Sequence, residues 1–150
     1  MDKILDIFEK WEKNKSEPVD PTFYSAAFFL TNSVTAYYFG YFTYSLLFLI
    51  LFLTSILLRL YRTNFIFLLD KTFVNLVSLY GGYILFTKLH SIHPFSIFLI
   101  VGTFLKTVFL FYYGYMTQSF CYDKNKEVAA AYHALLHIVA SFGHHLIVTV

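Results

Sequence analysis

The feature that most constrains this chain is a run of 37 residues, from Thr22 to Leu58, that contains no Asp, Glu, Lys, Arg or His. As a single helix this run would be about 55 Å long, nearly twice the ~30 Å thickness of a membrane hydrocarbon core. It must therefore fold back once. Gly40 is the expected point of reversal, because glycine permits a tight turn and the tyrosines around it favour the membrane interface. The run predicts two membrane spans.

The composition of the whole chain agrees with a membrane location. Of its 150 residues, 58% are hydrophobic and 13% are charged, whereas soluble domains carry about 25% charged residues. An ordinary soluble globule and a disordered chain are therefore both excluded. The formal net charge of +2 is too small for a nucleic-acid-binding surface. The single cysteine, Cys121, cannot form an intrachain disulfide.

We predict an all-α, polytopic membrane protein with about five transmembrane helices. The expected spans are about Thr22–Phe39, Tyr41–Leu58, Phe67–Lys88, Pro94–Tyr115 and Val128–Val150. Residues 1–21 precede them, and there apolar residues recur at helical spacing between charged ones: Ile4, Leu5, Ile7, Phe8 and Trp11. This pattern predicts an amphipathic helix on the membrane surface over 1–21, followed by a transmembrane helical domain over 22–150. The alternative for the first segment is a solvated tail.

The lysines and arginines predict the orientation. With five spans, nine of them lie on one side of the membrane: Lys3, Lys10, Lys13, Lys15, Arg59, Arg62, Lys71, Lys124 and Lys126. The opposite side has only Lys88, and Lys106 falls within span four. The positive-inside rule therefore places the N-terminus in the cytoplasm and the C-terminus in a lumen or outside the cell.

The fifth span carries four of the six histidines. His133 and His137 are four residues apart, so their side chains share one face of a helix, a spacing that can chelate a metal ion. His144 and His145 lie about 10 Å further along the helix, too far to join the same ion, and their roles stay open. The alternative to a metal site is that neutral histidines hydrogen-bond to neighbouring helices. Lys106 falls near the middle of span four with no acid at its depth, so three alternatives stay open: it extends toward the membrane surface, it tilts the helix, or it is neutral.

The predicted topology brings other polar residues to the depth of this histidine pair. Ser55 and Arg59 lie at the end of span two, and Asp70 lies at the start of span three. Span five enters the membrane from the same side with His133 and His137 in its first turns. Ionisable residues inside a membrane are costly and are candidates for function. We therefore expect these five residues to form one polar layer near the cytoplasmic face.

The spacing of this layer resembles that of the CREST superfamily of seven-helix membrane hydrolases, and most of all the alkaline ceramidases. That family carries Ser-x3-His at the end of its second helix, an Asp eleven residues after that His, and His-x3-His on its last helix. Here Ser55 is followed by Arg59 at the His position, Asp70 stands eleven residues later, and His133 and His137 lie on the last predicted helix.

The resemblance implies a zinc-dependent lipid amide hydrolase that acts on a ceramide-like, sphingolipid-type substrate near the cytoplasmic leaflet. By this resemblance His133 and His137 bind zinc, and Asp70 assists the attacking water. Ser55 hydrogen-bonds to the developing oxyanion.

Two departures weigh against that activity. Arg59 stands where the family has a zinc-binding histidine, and a guanidinium cannot coordinate a metal. One span, where the family has three, separates the Asp70 helix from the histidine helix. The alternative is a non-catalytic membrane scaffold, receptor or fusion component. In that case the layer consists of an Arg59–Asp70 ion pair and of hydrogen bonds between helices.

Overall fold

The computed structural model describes residues 21–61 and 63–150. All regular secondary structure in these two ranges is helical, so the predicted all-α fold is confirmed for this part of the chain. The amphipathic helix predicted over 1–21 lies outside the described residues except for Pro21.

Six helices, numbered here in chain order, make up the described chain. They are α1 Pro21–Ser25, α2 Ala27–Tyr38, α3 Phe42–Tyr61, α4 Asn64–Lys88, α5 Pro94–Thr117 and α6 Lys126–Thr149. Within α5 a π-helical turn, Phe109–Tyr113, interrupts the α-helical hydrogen-bond pattern. A short 3-10 turn, Phe120–Tyr122, precedes α6. The ends of α3 to α6 agree with the predicted spans to within three residues.

Four of these helices are long and apolar enough to cross a membrane. Their lengths are 20 residues for α3, 25 for α4, 24 for α5 and 24 for α6, and each contains an 18-residue stretch with a mean hydropathy of at least 1.2. Their outward faces carry large apolar side chains, such as Leu79, Phe86 and Phe98, which are more than two-thirds exposed. Exposed apolar surface of this extent suits contact with lipid. The first predicted span, Thr22–Phe39, is divided into α1 and α2 at Ala26, and each part alone is short.

Local sequence signals explain where the helices begin and end. Gly40 has a φ of +81°, a conformation that glycine adopts without steric cost, and it joins α2 to α3 as predicted. The Thr63 side chain accepts a hydrogen bond from Ile66 N at the start of α4. His93 accepts one from Phe95 N at the start of α5, where Pro94 occupies the first turn. Asn125 caps α6 in the same way, as expected of N-cap side chains.

The helices pack around one core. α2 lies against α3 and α6, α3 lies against α4, and α5 lies against α6. The best-buried apolar residues form a continuous cluster: Phe29, Ala36, Tyr44, Phe48, Leu51, Val77, Ile84, Ile100, Ile147 and Val148. At one end of the bundle, which we call the Arg59 end, the last turns of α3 and α5 meet the first turns of α4 and α6. At the other, the Lys88 end, Lys88 reaches the last turn of α6.

Candidate functional site

Asp70 is a buried carboxylate near the start of α4. Its Oδ1 accepts a hydrogen bond from Ser55 Oγ at 2.8 Å and one from Thr54 Oγ1 at 3.3 Å. Its Oδ2 lies 3.3 Å from Lys71 Nζ. A buried charge needs such partners to offset its desolvation. The structure therefore brings Ser55 and Asp70 into direct contact, and it adds Thr54 and Lys71, which the sequence argument missed.

Arg59 lies one turn beyond Ser55 on α3 and lines a pocket together with Lys71 and His133. Within the part of the chain that the structure describes, the cation at ion-pair distance from Asp70 is Lys71. Lys71 directly follows Asp70 in the sequence. Neighbouring helical side chains usually diverge, so spacing alone gave no reason to pair them.

The predicted histidine pair is adjacent in space. The ring centroids of His133 and His137 are 4.9 Å apart and the rings are nearly perpendicular. His137 is buried, and its Nδ1 lies 2.9 Å from Ser25 Oγ of α1. Its ring also packs against Phe29 at 4.8 Å between centroids. His137 therefore joins α6 to α1 and α2 whether or not a metal binds.

A zinc site needs at least three protein ligands. Over residues 21–61 and 63–150, no three side chains of His, Cys, Asp or Glu converge well enough to hold a metal ion. His133 and His137 supply two donors, while the oxygens of Asp70 are engaged by Ser55, Thr54 and Lys71. The described residues thus fit zinc only in part, and zinc binding stays a prediction.

The pocket at the Arg59 end, which we call the basic pocket, has a volume of about 270 Å³. Arg59, Lys71 and His133 supply its polar lining. Its walls are largely aromatic: Phe67, Phe111 and Tyr122. Lys71 Nζ lies 5.4 Å from the ring centroid of Phe67 and 5.1 Å from that of Phe111, within the range of cation–π attraction.

Two ionisable groups in the segment between α5 and α6 are Cys121, beside this pocket, and Tyr122, which lines it. Burial raises the pKa of the Cys121 thiol to about 11, although a backbone hydrogen bond and the nearby charge of Lys71 partly oppose the shift. Burial also raises the pKa of Tyr122 to about 12. Both side chains are therefore neutral at physiological pH.

Toward the Lys88 end, α6 makes a second set of polar contacts. The His144 Nδ1 shares a hydrogen bond with the hydroxyl of Tyr44, which is fully buried on α3. The His145 Nε2 lies 3.1 Å from Thr31 Oγ1 on α2. The positions that the sequence left without a role, His144 and His145, therefore connect α6 to two other helices.

Small polar residues between helices were also missed from the sequence. Asn32 Nδ2 donates to Ser141 Oγ at 2.7 Å, and Ser141 Oγ reaches the Phe28 carbonyl at 3.2 Å. Ser33 Oγ donates to the Ser45 carbonyl at 2.8 Å. A lone Asn inside an apolar run was the available signal, because a membrane helix rarely carries one without a partner.

Lys106 is exposed on α5 beside a groove that α5 forms with α6. Among the described residues no acid lies within ion-pair distance of it. Gly102 widens the groove, since a Cβ built there meets no atom within 4 Å.

Comparison of the chain with protein-family models, with curated proteins and with solved structures found no match. The likeness to the CREST hydrolases therefore rests on five residues and their spacing. The contact between Ser55 and Asp70 and the adjacent histidine rings are the geometric facts that bear on it.

Proposed function

We propose that the chain is an integral membrane protein with five spans, α1 and α2 together forming the first. Residues 21–38 as one helical segment extend about 27 Å, close to the thickness of the hydrocarbon core. Both helices are hydrogen-bonded to α6 within the bundle, α1 through Ser25 and α2 through Asn32. The positive charges at the Arg59 end favour a cytoplasmic location for that end. The end of α6 then faces a lumen or the cell exterior.

Cysteine accessibility tests this topology. Cys121 is replaced by alanine, and single cysteines are placed at Lys13, Ser91 and Lys124. We expect positions 13 and 124 to react with an impermeant maleimide from the cytoplasmic side, and position 91 from the other side. Reaction of all three from one side would refute the five-span arrangement.

For its function, we propose a non-catalytic membrane protein, a scaffold, receptor or fusion component, in which the intramembrane polar groups hold the helices together. One observation carries this proposal. Four polar residues on one face of α6, His137, Ser141, His144 and His145, each contact a side chain on α1, α2 or α3. Positions i, i+4, i+7 and i+8 form a single helical stripe. A histidine that bridges two helices this way needs no metal to account for its presence.

A second candidate is a zinc-dependent hydrolase of ceramide-type amides. It is favoured by the 2.8 Å contact between Ser55 and Asp70 and by the adjacent rings of His133 and His137, all close to one end of the bundle. Zinc bound by the two histidines would supply an activated water. Ser55 would then donate a hydrogen bond to the substrate oxygen, and Asp70 would accept a proton.

Metal content and ceramide hydrolysis of the purified full chain distinguish the two functions. The scaffold predicts substoichiometric zinc and no hydrolysis, and it predicts a loss of about 1 kcal/mol in stability for His137→Ala. The hydrolase predicts bound zinc that His133→Ala and His137→Ala abolish. His144→Ala serves as the control, because it also breaks a helix contact but leaves the pair intact. Zinc in the wild type, retained by His144→Ala alone, would refute the scaffold.

Arg59→His provides a second test that distinguishes the two functions. It restores the three-histidine set of the family, so a latent zinc site should gain at least about tenfold in affinity. A structural arginine predicts instead that Arg59→His and Arg59→Ala lose similar stability and that neither variant gains zinc.

A further inference from the structure

The groove between α5 and α6, which we call the Lys106 groove, is lined by Phe98, Gly102 and Lys106 of α5 and by Ile138 and Phe142 of α6. It has a volume of about 340 Å³, and the two phenylalanines that border it are more than half exposed. Among the described helices, α5 packs chiefly against α6. It is also the least buried of the four long helices, with 11% of its most apolar stretch buried against 28% for α3 and α6. This side of α5 is therefore open to another molecule.

The two helices touch at the floor of the groove and leave room beside that contact. A Cβ placed on Gly143 of α6 would overlap the Thr103 hydroxyl, so α5 and α6 approach closely there. Gly102, next to Thr103, has no atom within 4 Å of the position of a Cβ. A glycine on an outward helix face lets the backbone of a further helix come close. The shape of the groove is therefore suited to a packed helix.

Lys106 determines the chemistry of this groove. It lies twelve residues after Pro94 and eleven before Thr117, the two ends of α5. This position is about 18 Å along the helix, near the middle of a hydrocarbon core about 30 Å thick. The four-carbon stem of a lysine is much shorter than the distance of about 15 Å from the centre of that core to either surface. The ammonium group therefore lies within the hydrocarbon layer.

The ammonium group of Lys106 has no partner within residues 21–61 and 63–150, where neither an ion pair nor a side-chain hydrogen bond involves it. Ionisable groups inside a membrane are costly, and they almost always pair with another polar group. Acyl chains can fill an apolar groove but accept no hydrogen bond, and lipid headgroups lie outside the hydrocarbon core. A carboxylate reaches this depth on a membrane-spanning helix.

A second copy of this chain does not supply that carboxylate. The acids within the described residues are Asp70, Asp123 and Glu127. Asp70 is engaged within its own bundle, and the other two lie just before α6 and in its first turn. The remaining acids precede residue 21, in the segment predicted for the membrane surface. A symmetric contact would also place two Lys106 side chains together, and like charges repel.

We propose that the Lys106 groove binds a transmembrane helix of a different protein, one that carries an Asp or Glu near the middle of its span. The carboxylate pairs with Lys106, and the backbone of the partner helix packs along Gly102. The proposal rests on the scaffold function and deepens it, because it names the class of partner. It does not depend on which end of the bundle faces the cytoplasm.

A designed transmembrane peptide tests the proposal. A helix of about 21 leucines and alanines is made with either Asp or Leu at its central position, and each peptide carries a fluorophore. Energy transfer from a label on the amino terminus of the full chain measures binding in phosphatidylcholine vesicles. We expect the Asp peptide to bind at least about tenfold more tightly than the Leu peptide. Equal binding of the two peptides would overturn the proposal.

Charge variants locate the binding site. Lys106→Met should abolish the preference for the Asp peptide. The matched control is the double variant Lys106→Met, Leu105→Lys, which keeps the net charge but turns the lysine about 100° around α5. Leu105 is 59% exposed and does not line the groove, so this variant should bind the Asp peptide at least about threefold more weakly than the wild type. Undiminished binding by either variant would overturn the proposal.

Gly102→Leu tests the groove without changing its charge. The new side chain enters open space, so the protein should fold normally while the peptide helix is kept away from Lys106. We expect the preference for the Asp peptide to fall by at least about threefold. Gly82→Leu is the matched control, because Gly82 on α4 is equally open and lies outside the groove. The same loss in both variants, or in neither, would overturn the proposal.

Two further measurements separate this proposal from its alternatives. Energy transfer between two labelled copies of the chain, abolished by Lys106→Met, would identify a second copy as the occupant and overturn the proposal. Zinc content and ceramide hydrolysis are measured on the same preparations. Absence of both, together with no preference for the Asp peptide, would overturn the helix partner and leave the scaffold function standing. Bound zinc with hydrolysis would overturn the scaffold function itself, and with it the role given to the partner.

Discussion

The two ends of the bundle use the same residue types in opposite ways. At the Lys88 end, Lys88 Nζ donates to the carbonyls of Ile147, Val148 and Val150. Nearer the middle of the bundle, toward the same end, His144 is hydrogen-bonded to Tyr44. At the Arg59 end, Lys71 and His133 line a cavity. A lysine and a histidine thus complete the packing at one end, and at the other they line a cavity while contacting Asp70 and His137.

The two ends also differ in side-chain size on α4. Gly81 lets α4 approach α3 and α6 so closely that a Cβ there would collide with the Tyr44 hydroxyl. Phe67, fourteen residues earlier and on about the same helical face, instead forms a wall of the basic pocket. Residue type alone therefore does not determine whether a polar side chain in this bundle completes the packing or lines a cavity. The space between the neighbouring helices determines which of the two occurs.

The largest change is expected in the reactivity of the Cys121 thiol, close to the Arg59 end. Its pKa is raised to about 11 from an ordinary value of 9.0, and the thiolate is the reactive form. At pH 8 the thiolate population is therefore about 100-fold smaller than in the unfolded chain. Iodoacetamide labelling of the folded protein should be slower by about that factor and should rise as the pH increases toward 11. A rate that levels off near pH 9 in the folded protein would contradict the burial of this thiol.

The next largest effect is expected on stability, at the close approach of α4 to α3 and α6 around Gly81. Gly81→Ala should destabilise the protein by about 1–3 kcal/mol, because the new methyl group would overlap the hydroxyl of Tyr44, whose side chain is fully buried. Thermal denaturation in one detergent measures the loss. Gly82→Ala is the matched control: a Cβ there meets nothing within 4 Å, so it should be neutral or slightly stabilising.

A double variant sharpens that result. Tyr44→Phe removes the hydroxyl that the Gly81 methyl group would strike, so Gly81→Ala should cost less in the Tyr44→Phe background than in the wild type. An equal cost in both backgrounds would mean that the close approach of α4 is not what Gly81 provides.

The smallest effect is expected for two lysines, Lys88 at the Lys88 end and Lys106 on α5. Lys88→Met removes the donor to the carbonyls of Ile147 and Val148 in α6 and of Val150 just beyond it, and should lower the free energy of unfolding by about 0.5–1 kcal/mol. Lys106→Met, which breaks no ion pair or hydrogen bond among the described residues, should change it by less than about 0.5 kcal/mol. Identical losses in the same denaturation assay would argue against a capping role for Lys88.

Much of the fold was predictable because membrane thickness and charge leave few choices. The apolar run is too long for one span, so it had to reverse, and Gly40 was the expected position of the turn. Because successive spans cross the membrane in opposite directions, the end of span two and the start of span three lie on the same side, which predicted that Ser55 and Asp70 lie at the same depth. The pairing of Tyr44 with His144 was not predictable, since helical spacing gives the face of a side chain but not the helix opposite. The contact between Lys71 and Asp70 was not predicted for a related reason. The long side chain of Lys71, and not its backbone position, brings the ammonium group to the carboxylate.

The π-helical turn at Phe109–Tyr113 has a consequence for how this chain can vary. Such a turn accommodates one residue more than an α-helical turn, so the rest of α5 is rotated by about 100° from where an unbroken helix would place it. Phe111, on the wall beside Lys71, belongs to this turn, and Tyr113 stacks on Phe109 at 4.8 Å. Deleting one residue there would shorten the helix by only about 1.5 Å yet swing the aromatic wall away from Lys71. The shape of this cavity is therefore open to change by a single-codon deletion, with no substitution of any residue that lines it.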